Sequence, residues 1–226
     1  MMQRAKNIED RQQRAIEEKS ALLKDIERAD SLKLTPLAHH SGRLLEGRDL
    51  SISYPGMDGK PVRFTLNQGE RLCLDGGNGS GKTSLLRLVL GEEVPHTGTL
   101  FRVSGLKISY VPQRADHLKG NPVVWAEGQG IDLTQFLTIL RKLGLSRELF
   151  SRNMSEYSAG QQKKVLLAAS MCQSTHLYLW DEPLNYVDLF SRMQIEELLL
   201  QYRPTLLFVE HDRVFREKIA TETIEL

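Results

Sequence analysis

The 226-residue sequence predicts an α/β fold with a mainly parallel central sheet and an antiparallel β edge. From residue 44 onward, short apolar runs alternate with helical stretches, and turn residues separate them. Three apolar runs are continuous rather than alternating, at residues 72–74, 177–180 and 206–209. Continuous runs of this kind are typical of central parallel strands that are covered on both faces.

The individual elements are bounded by the turn residues between apolar runs. The predicted strands span residues 43–53, 62–66, 70–75, 99–103, 108–111, 176–181, 205–210 and 223–226. The predicted helices span residues 82–90, 133–143, 159–173, 189–202 and 212–219. Gly91 lies where a left-handed glycine commonly ends a helix, and Ser158 lies where a serine commonly caps one.

The composition is that of a globular protein, with 40% apolar and 26% charged residues. A net charge of +1 gives no basis for bulk attraction to nucleic acids or anionic membranes. No apolar run approaches the roughly 18–20 residues that span a bilayer, and the first residues lack the apolar stretch of a signal peptide. Cys73 and Cys172 lie in separate apolar segments, which predicts two buried thiols in a reducing compartment. We therefore expect a cytoplasmic protein without direct membrane insertion.

The first 43 residues differ in pattern from the rest of the chain. Residues 4–30 contain no Gly or Pro, and apolar residues recur in them at intervals of seven: Ile8, Ala15, Leu22 and Ala29. A narrow apolar stripe on a charged helix is typical of a coiled coil. The helix is either half of an antiparallel pair whose other half is not in this chain, or a solvated helix on the main domain. The sequence thus predicts a linker helix and connector at 1–43, ahead of a globular domain at 44–226.

A glycine-rich segment between a predicted strand and a predicted helix carries the strongest functional signal. It matches the pattern G-x-x-x-x-G-K-[ST] completely, with the residues Gly76, Gly77, Asn78, Gly79, Ser80, Gly81, Lys82 and Thr83. The glycines let backbone N–H groups curl around a phosphate, and the helix N-terminus adds partial positive charge. We expect Lys82 to reach the β- and γ-phosphates of a nucleotide and the Thr83 hydroxyl to ligate Mg²⁺.

Two carboxylates end the apolar strand predicted at 176–181. Asp181 is placed to hold Mg²⁺ beside Thr83, as the acidic strand of P-loop ATPases does. Glu182 lies one residue farther on, where it can orient or deprotonate a water aimed at the γ-phosphate. The alternative is that two acids merely end a strand, but Pro183 stops further pairing and favours the functional interpretation.

Further short segments follow the phosphate-binding loop in order. They are Tyr110-Val111-Pro112-Gln113, Tyr157-Ser158-Ala159-Gly160-Gln161-Gln162, Asp181-Glu182-Pro183, Leu184-Asn185-Tyr186-Val187-Asp188 and Glu210-His211-Asp212. Over roughly residues 44–226 this series resembles the nucleotide-binding domain of ATP-binding-cassette (ABC) proteins. The resemblance implies a Mg²⁺-dependent ATPase with ATP and Mg²⁺ as its cofactors. It also implies a P-loop NTPase core with an antiparallel β subdomain and a small helical subdomain at about 114–160.

The resemblance assigns roles to residues that would be unremarkable singly. Gln113 is implied to be the Q-loop residue that meets Mg²⁺ and water, and His211 the switch histidine on the γ-phosphate. Asp188 is implied to end the D-loop. Tyr54 falls where the family places an aromatic ring that stacks on adenine. Alone, Gln113 and His211 would more often be ordinary surface residues, but their order and spacing favour catalytic roles.

The segment that begins at Ser158 is similar to the family's signature motif, usually S-G-G-Q. Ser158, Gly160 and Gln161 match it, whereas Ala159 departs from the common Gly. A serine cap with exposed N–H groups at a helix start can bind an anion. In the family this helix end contacts ATP held by the opposite nucleotide-binding domain. The chain is therefore expected to supply half of two composite sites, so that its partner is another such domain or, for the isolated domain, a second copy.

The branch of the family is indicated by the segment 184–188 and the charged helix. The segment 184–188 resembles the ABC-F version of this motif, and the helix resembles the returning arm of the ABC-F interdomain linker. ABC-F proteins are soluble tandem ATPases that act on the ribosome. The segments 157–164, 184–188 and 208–212 together resemble the second cassette of antibiotic-resistance ABC-F proteins of the lincosamide, streptogramin A and pleuromutilin type.

This resemblance implies the C-terminal part of a tandem ABC-F protein that contacts the ribosome (rRNA and tRNA) through the parent's linker. It implies an ATPase that is weak as an isolated domain. The alternatives are an ATPase subunit of an ABC membrane transporter and a binding module of the chromosome-maintenance type, whose coiled coil would interrupt the cassette rather than precede it.

Overall fold

The computed structural model describes residues 32–54 and 57–226, without the side chains of residues 54, 57 and 58. The predicted linker helix at 4–30 and the side chain of Tyr54 therefore lie outside the described residues. The strands are β1 (Arg43–Tyr54), β2 (Met57–Asp58), β3 (Val62–Asn67), β4 (Arg71–Asp75), β5 (His96–Arg102), β6 (Ile108–Val111), β7 (Leu177–Asp181), β8 (Leu206–Val209) and β9 (Glu222–Glu225). The α-helices are α1 (Lys82–Leu90), α2 (Pro122–Gly128), α3 (Leu133–Lys142), α4 (Ala159–Cys172), α5 (Leu189–Tyr202) and α6 (Arg213–Ile219). Two short 3₁₀ helices span Arg147–Ser151 and Met154–Glu156.

The central sheet has five parallel strands in the order β6-β7-β8-β4-β9. The three continuous apolar runs form its middle strands, and every residue of β7 and β8 is buried. Along β8, Leu206 and Phe208 join one hydrophobic cluster, whereas Leu207 and Val209 join another. Because successive side chains of a strand point to opposite faces, both faces of this sheet are covered. The predicted parallel core is confirmed.

An antiparallel sheet lies beside this core. Strand β1 pairs with β2, β3 and β5, all in antiparallel register. The apolar residues of this antiparallel sheet, among them Leu45 of β1 and Phe64 of β3, share a cluster with Leu85 of α1 and Leu74 of β4. This sheet and α1 therefore cover one face of the parallel sheet, and the predicted antiparallel edge is confirmed.

Helices α2 to α5 supply buried residues to the other cluster. The ends of α1 and α4 match their predicted caps. Gly91 ends α1 with φ of 93°, and Ser158 caps α4 in a reciprocal capping box with Gln161. Helix α2 was not predicted, because its seven residues are too few to show a helical period. Its start is nonetheless encoded by Asn121, whose side chain accepts a hydrogen bond from the backbone N–H of Val123.

The connector that precedes β1 packs with the core. Leu32 and Leu34 are buried in the cluster that contains α4 and α5. Pro36 forms an isolated parallel bridge with Thr175, whose carbonyl accepts a 2.8 Å hydrogen bond from the N–H of Leu37. Residues 32–37 therefore pack against the same core as the elements that follow them.

Two other expectations concern single features. Cys73 is a buried free thiol in β4, whereas Cys172 is a free thiol that is only half-buried, because it ends α4. Among the described residues, no helix combines the length and the apolar character needed to cross a bilayer.

Candidate functional site

The glycine-rich loop joins the carboxyl end of the inner strand β4 to the start of α1. Gly76, Gly79 and Gly81 have φ values of 144°, 81° and 102°, which strain any residue with a side chain. A Cβ on Gly76 would also lie 2.7 Å from Ser80 Oγ and 2.8 Å from the Leu226 carbonyl oxygen. The loop path therefore requires glycine. Asn78 and Gly79 are exposed at its tip.

Lys82 occupies the interior of this loop. Its Nζ donates hydrogen bonds of 2.7 Å and 2.8 Å to the carbonyl oxygens of Gly76 and Gly77, and the residue is only 8% exposed. Ser80 Oγ is buried within the loop and has no hydrogen-bond partner in the described structure. A phosphate is a stronger acceptor than a carbonyl for an ammonium group, so the loop offers donors that a bound phosphate can take up.

Thr83 and Asp181 meet directly across the site. The Thr83 hydroxyl donates a 2.8 Å hydrogen bond to Asp181 Oδ2, while the buried Asp181 Oδ1 has no partner among the described residues. Burial raises the pKa of Asp181, and the hydrogen bond from Thr83 opposes this shift. A hydroxyl and a carboxylate with a free oxygen are the hard ligands that Mg²⁺ prefers. The donor set therefore fits Mg²⁺.

Glu182 is the meeting point of three further residues. Its Oε1 accepts a 2.8 Å hydrogen bond from Gln113 Nε2 and lies 3.3 Å from His211 Nε2. Its Oε2 accepts a short hydrogen bond from Asn185 Nδ2. Because an ionised carboxylate only accepts, a hydrogen bond here requires a proton on His211 Nε2. The three residues predicted as catalytic are thus in contact, and Asn185 was missed although it belongs to a motif that the sequence shows.

Two buried charged residues behind the site were not predicted to be functional. Lys163, in α4, donates hydrogen bonds to the carbonyl oxygens of Pro112, Gln113 and Asp181. Burial lowers the pKa of Lys163 to about 8, against the attraction of nearby carboxylates. Glu210 accepts hydrogen bonds from backbone N–H groups on the other side of the site. For both residues, the sequence signal that could have identified them is a charged residue beside or within an apolar segment.

The signature segment begins at the capped end of α4. Ser158 Oγ accepts a 3.3 Å hydrogen bond from the Gln161 N–H, and Gln161 Oε1 accepts a 2.9 Å bond from the Ser158 N–H. Gly160 lies against the backbone of the loop that precedes α5. A Cβ at this position would be only 2.2 Å from the Tyr186 carbonyl oxygen. A glycine is therefore needed for this close approach.

Asp188 connects the same loop to α4. It forms an ion pair with Lys164, and its Oδ1 accepts a 2.9 Å hydrogen bond from the Ser191 N–H at the start of α5. Burial acts to raise the pKa of Asp188, but these hydrogen bonds and the Lys164 charge lower it to about 2. Asp188 therefore caps α5 and pairs with Lys164 in this structure.

A family model described as ABC transporter matches residues 59–185, which is more than half of the chain. The chain belongs to the ABC transporter family. Domains of this family bind ATP and act as ATPases. The matched region runs from the antiparallel sheet through the phosphate-binding loop and the signature segment to the carboxylates that end β7.

Curated relatives and a solved structure cover most of this ABC domain. It is 32% identical to the ribosome protection protein VmlR of Bacillus subtilis, over 87% of this chain and 38% of VmlR. It is 33% identical to the ATP-binding protein Uup of Caulobacter vibrioides, over 70% of this chain and 28% of Uup. The structure of RNase-L Inhibitor is similar at 26% identity with a TM-score of 0.67, over 83% of this chain and 38% of that one. This ABC chain spans about a third of the length of the curated relatives it matches.

Proposed function

We propose that this chain is a Mg²⁺-dependent ATP-hydrolysing cassette in which Glu182 supports the attack of water on the γ-phosphate. The observation that carries the proposal is the convergence of Gln113, His211 and Asn185 on the Glu182 carboxylate. Glu182 directly follows Asp181, and the buried Oδ1 of Asp181 has no partner among the described residues. A carboxylate so placed can accept a proton from a water that its neighbours orient.

The loop residues supply the substrate-binding part of this proposal. Gly79, Ser80 and Lys82 would hold the phosphates through a backbone N–H group, a hydroxyl and an ammonium. Thr83 Oγ1 and Asp181 would hold Mg²⁺, with Gln113 reaching it from the Q-loop. When bound, Mg²⁺ neutralises charge on the phosphate oxygens. Tyr54 remains our proposal for the residue that stacks on adenine.

The signature segment supplies the partner side of the proposal. Ser158, Gly160 and Gln161 would present the N-terminus of α4 to ATP held by a second cassette, and Asp188 would position the adjoining loop. The partner is the other nucleotide-binding domain of a tandem parent chain, or a second copy of this one. Because each chain then completes its partner's site, the isolated cassette should hydrolyse ATP weakly.

We further propose that the parent is a cytoplasmic ABC-F protein that acts on the ribosome and protects it from antibiotics. Support comes from the ribosome protection protein VmlR, which aligns with 87% of this chain, and from the ABC-F form of the segment 184–188. ATP would act as a clamp, because its higher affinity for the closed pair of cassettes shifts the population toward that state. The ribosome contacts would belong to the parent's linker. The alternative, an ATPase subunit of a membrane transporter, predicts a membrane-spanning partner.

Nucleotide binding is tested with Lys82→Ala, which removes the ammonium inside the loop. The affinity for Mg·ATP, measured by calorimetry, should fall at least about 100-fold, because a charge-assisted contact of roughly 3 kcal/mol is lost. The control is Lys119→Ala, which removes an exposed lysine outside the site. Equal affinities of Lys82→Ala and the wild type would refute the loop assignment.

The cellular role is tested by co-sedimentation of the intact parent protein. Glu182→Gln, combined with the matching substitution in the other cassette, should bind ATP and remain closed. ATP-dependent pelleting with ribosomes would support the ABC-F proposal, and drug protection would be measured next. Pelleting with membranes instead would favour the transporter subunit.

A further inference from the structure

Two charged side chains are buried beside the candidate site. Lys163 is 2% exposed and extends from the first half of α4, and Glu210 is 3% exposed and follows β8. Burying a charge is costly, and an apolar side chain of similar size is often equally stabilising. Their burial therefore calls for an explanation other than stability.

Lys163 joins the backbones of two loops. Its Nζ donates hydrogen bonds of 2.9 Å to the Pro112 carbonyl, 2.8 Å to the Gln113 carbonyl and 3.4 Å to the Asp181 carbonyl. Gln113 is the residue whose amide contacts Glu182, and Asp181 directly precedes Glu182. One ammonium group thus fixes the distance between the backbone at Gln113 and the backbone at Asp181, which carry the contact between Gln113 and Glu182.

Glu210 binds other backbone groups of the site and has the opposite charge. Its Oε1 accepts hydrogen bonds from the N–H groups of His211 (2.8 Å) and Asp212 (3.4 Å), and its Oε2 accepts one from Leu184 (3.2 Å). A lysine can only donate and an ionised glutamate can only accept, so the pair satisfies carbonyl groups on one side and N–H groups on the other. Between them they hold the backbone beside all three groups that contact the Glu182 carboxylate.

We propose that Lys163 is a positioning residue that sets the geometry of Gln113 against Glu182 and couples both to the signature helix α4, with Glu210 as its counterpart for His211. This inference rests on the proposed function, because it concerns the same hydrolytic site. Lys163 touches neither nucleotide nor metal in this scheme. Its effect is on the hydrolytic step, since misplacing a catalytic group by about 1 Å can cost 100-fold in rate.

The test uses Lys163→Met, which keeps the length of the side chain and removes its donors. Lys163→Gln, which keeps a donor and removes the charge, is the milder variant. Lys119→Met is the matched control, because it removes the same charge from an exposed site. For each protein we would measure Mg·ATP affinity, the single-turnover hydrolysis rate in the intact parent, thermal unfolding and amide hydrogen exchange.

We expect Lys163→Met to bind Mg·ATP within about threefold of the wild type and to hydrolyse it roughly 100-fold more slowly. The hydrolysis rate of Lys163→Gln should fall between those of the wild type and Lys163→Met. Exchange should accelerate in the segments around residues 113 and 182, while the buried strands β7 and β8 keep their protection. Lys119→Met should resemble the wild type in every measurement.

The outcomes separate this inference from the proposed function. An unchanged hydrolysis rate, a parallel loss of affinity and rate, or faster exchange throughout the fold in both Lys163 variants would overturn the positioning role. Loss of cooperative unfolding in both variants would also overturn it, by making Lys163 a purely structural residue. If the wild type failed to bind or hydrolyse ATP, the proposed function would fail, whereas locally faster exchange would still support the link between the two loops.

Discussion

The contact between Gly160 and Tyr186 makes a sharp prediction about stability. In Gly160→Ala the added methyl group would lie 2.2 Å from the Tyr186 carbonyl oxygen. An ordinary contact between these atoms is about 3.4 Å or more, so the two backbones must separate by about 1 Å. Neither atom belongs to a flexible side chain, and both segments are fixed, one by the capping box at Ser158 and the other by the ion pair of Asp188.

The magnitude follows from comparison with a second helical glycine. Gly128 ends α2, and a Cβ there would meet nothing within 4 Å. Gly128→Ala should therefore stabilise the fold by about 0.5–1 kcal/mol, through its effect on the unfolded chain. Gly160→Ala has the same stabilising effect on the unfolded chain, but it also overpacks the folded state. Overpacking costs about 1–3 kcal/mol, and the short contact with Tyr186 places the cost at the upper end of this range. The two variants should differ by about 3 kcal/mol, or about 6–12 °C in Tm at roughly 2–4 °C per kcal/mol.

The assay is thermal unfolding of the wild type and both alanine variants at one protein concentration. We expect Gly128→Ala to have the highest Tm, the wild type an intermediate Tm and Gly160→Ala the lowest. If Gly160→Ala unfolded at the same temperature as Gly128→Ala, the signature helix and the loop before α5 would not be in close contact, and the reasoning would be refuted.

Two further predictions concern charge. Asp212 accepts two 2.6 Å hydrogen bonds from Arg192, which lower the pKa of Asp212 from about 3.8 to about 2. The ionised Asp212 therefore stabilises the fold above pH 4, and this contribution is lost as the pH falls through 2. Because the Asp212 side chain is 35% exposed, Asp212→Asn should lower the free energy of unfolding by only about 1 kcal/mol at pH 7. The free energies of unfolding in urea of the variant and the wild type should converge near pH 2. A difference that stays constant with pH would contradict this reasoning. Glu182→Gln should bind Mg·ATP with near wild-type affinity and slow single-turnover hydrolysis by about 100-fold or more, whereas an unchanged rate would remove Glu182 from the role of general base.

The sequence predicted the parts of the fold that depend on hydrophobic pattern. The continuous runs identified the central strands, because a strand covered on both faces leaves no place for polar residues. The strand at 99–103 was predicted three residues too late, since β5 begins at His96 and is exposed along much of its length. An exposed strand has little hydrophobic pattern, and its register is set by pairing with β1 instead. Helix α2 escaped prediction because of its short length.

The residues of the candidate site were predictable where a motif fixes their types, and their contacts were not. Thr83 and Asp181 lie 98 positions apart in the chain, yet they share a hydrogen bond. Lys163 could not be found from motif reasoning for a specific physical reason. Its partners are backbone carbonyls, which every residue has, so no pairing of residue types reveals the contact. Glu210 lies in a motif, but its contacts could not be found from residue types either, because its partners are likewise backbone groups.

The backbone of the segment after β7 ties these observations together. Glu182 and Tyr186 have φ values of 48° and 64°, a region that costs a residue with a side chain about 1–2 kcal/mol. The first half of the segment is held from outside: the Glu182 N–H donates to the Val209 carbonyl, and the Leu184 N–H donates to Glu210. The close approach of Tyr186 to Gly160 then transfers the same constraint to the start of α4. The helix that would face a partner's ATP and the carboxylate that would activate water are therefore joined through a strained loop, so that displacement of one by a binding partner bears directly on the other.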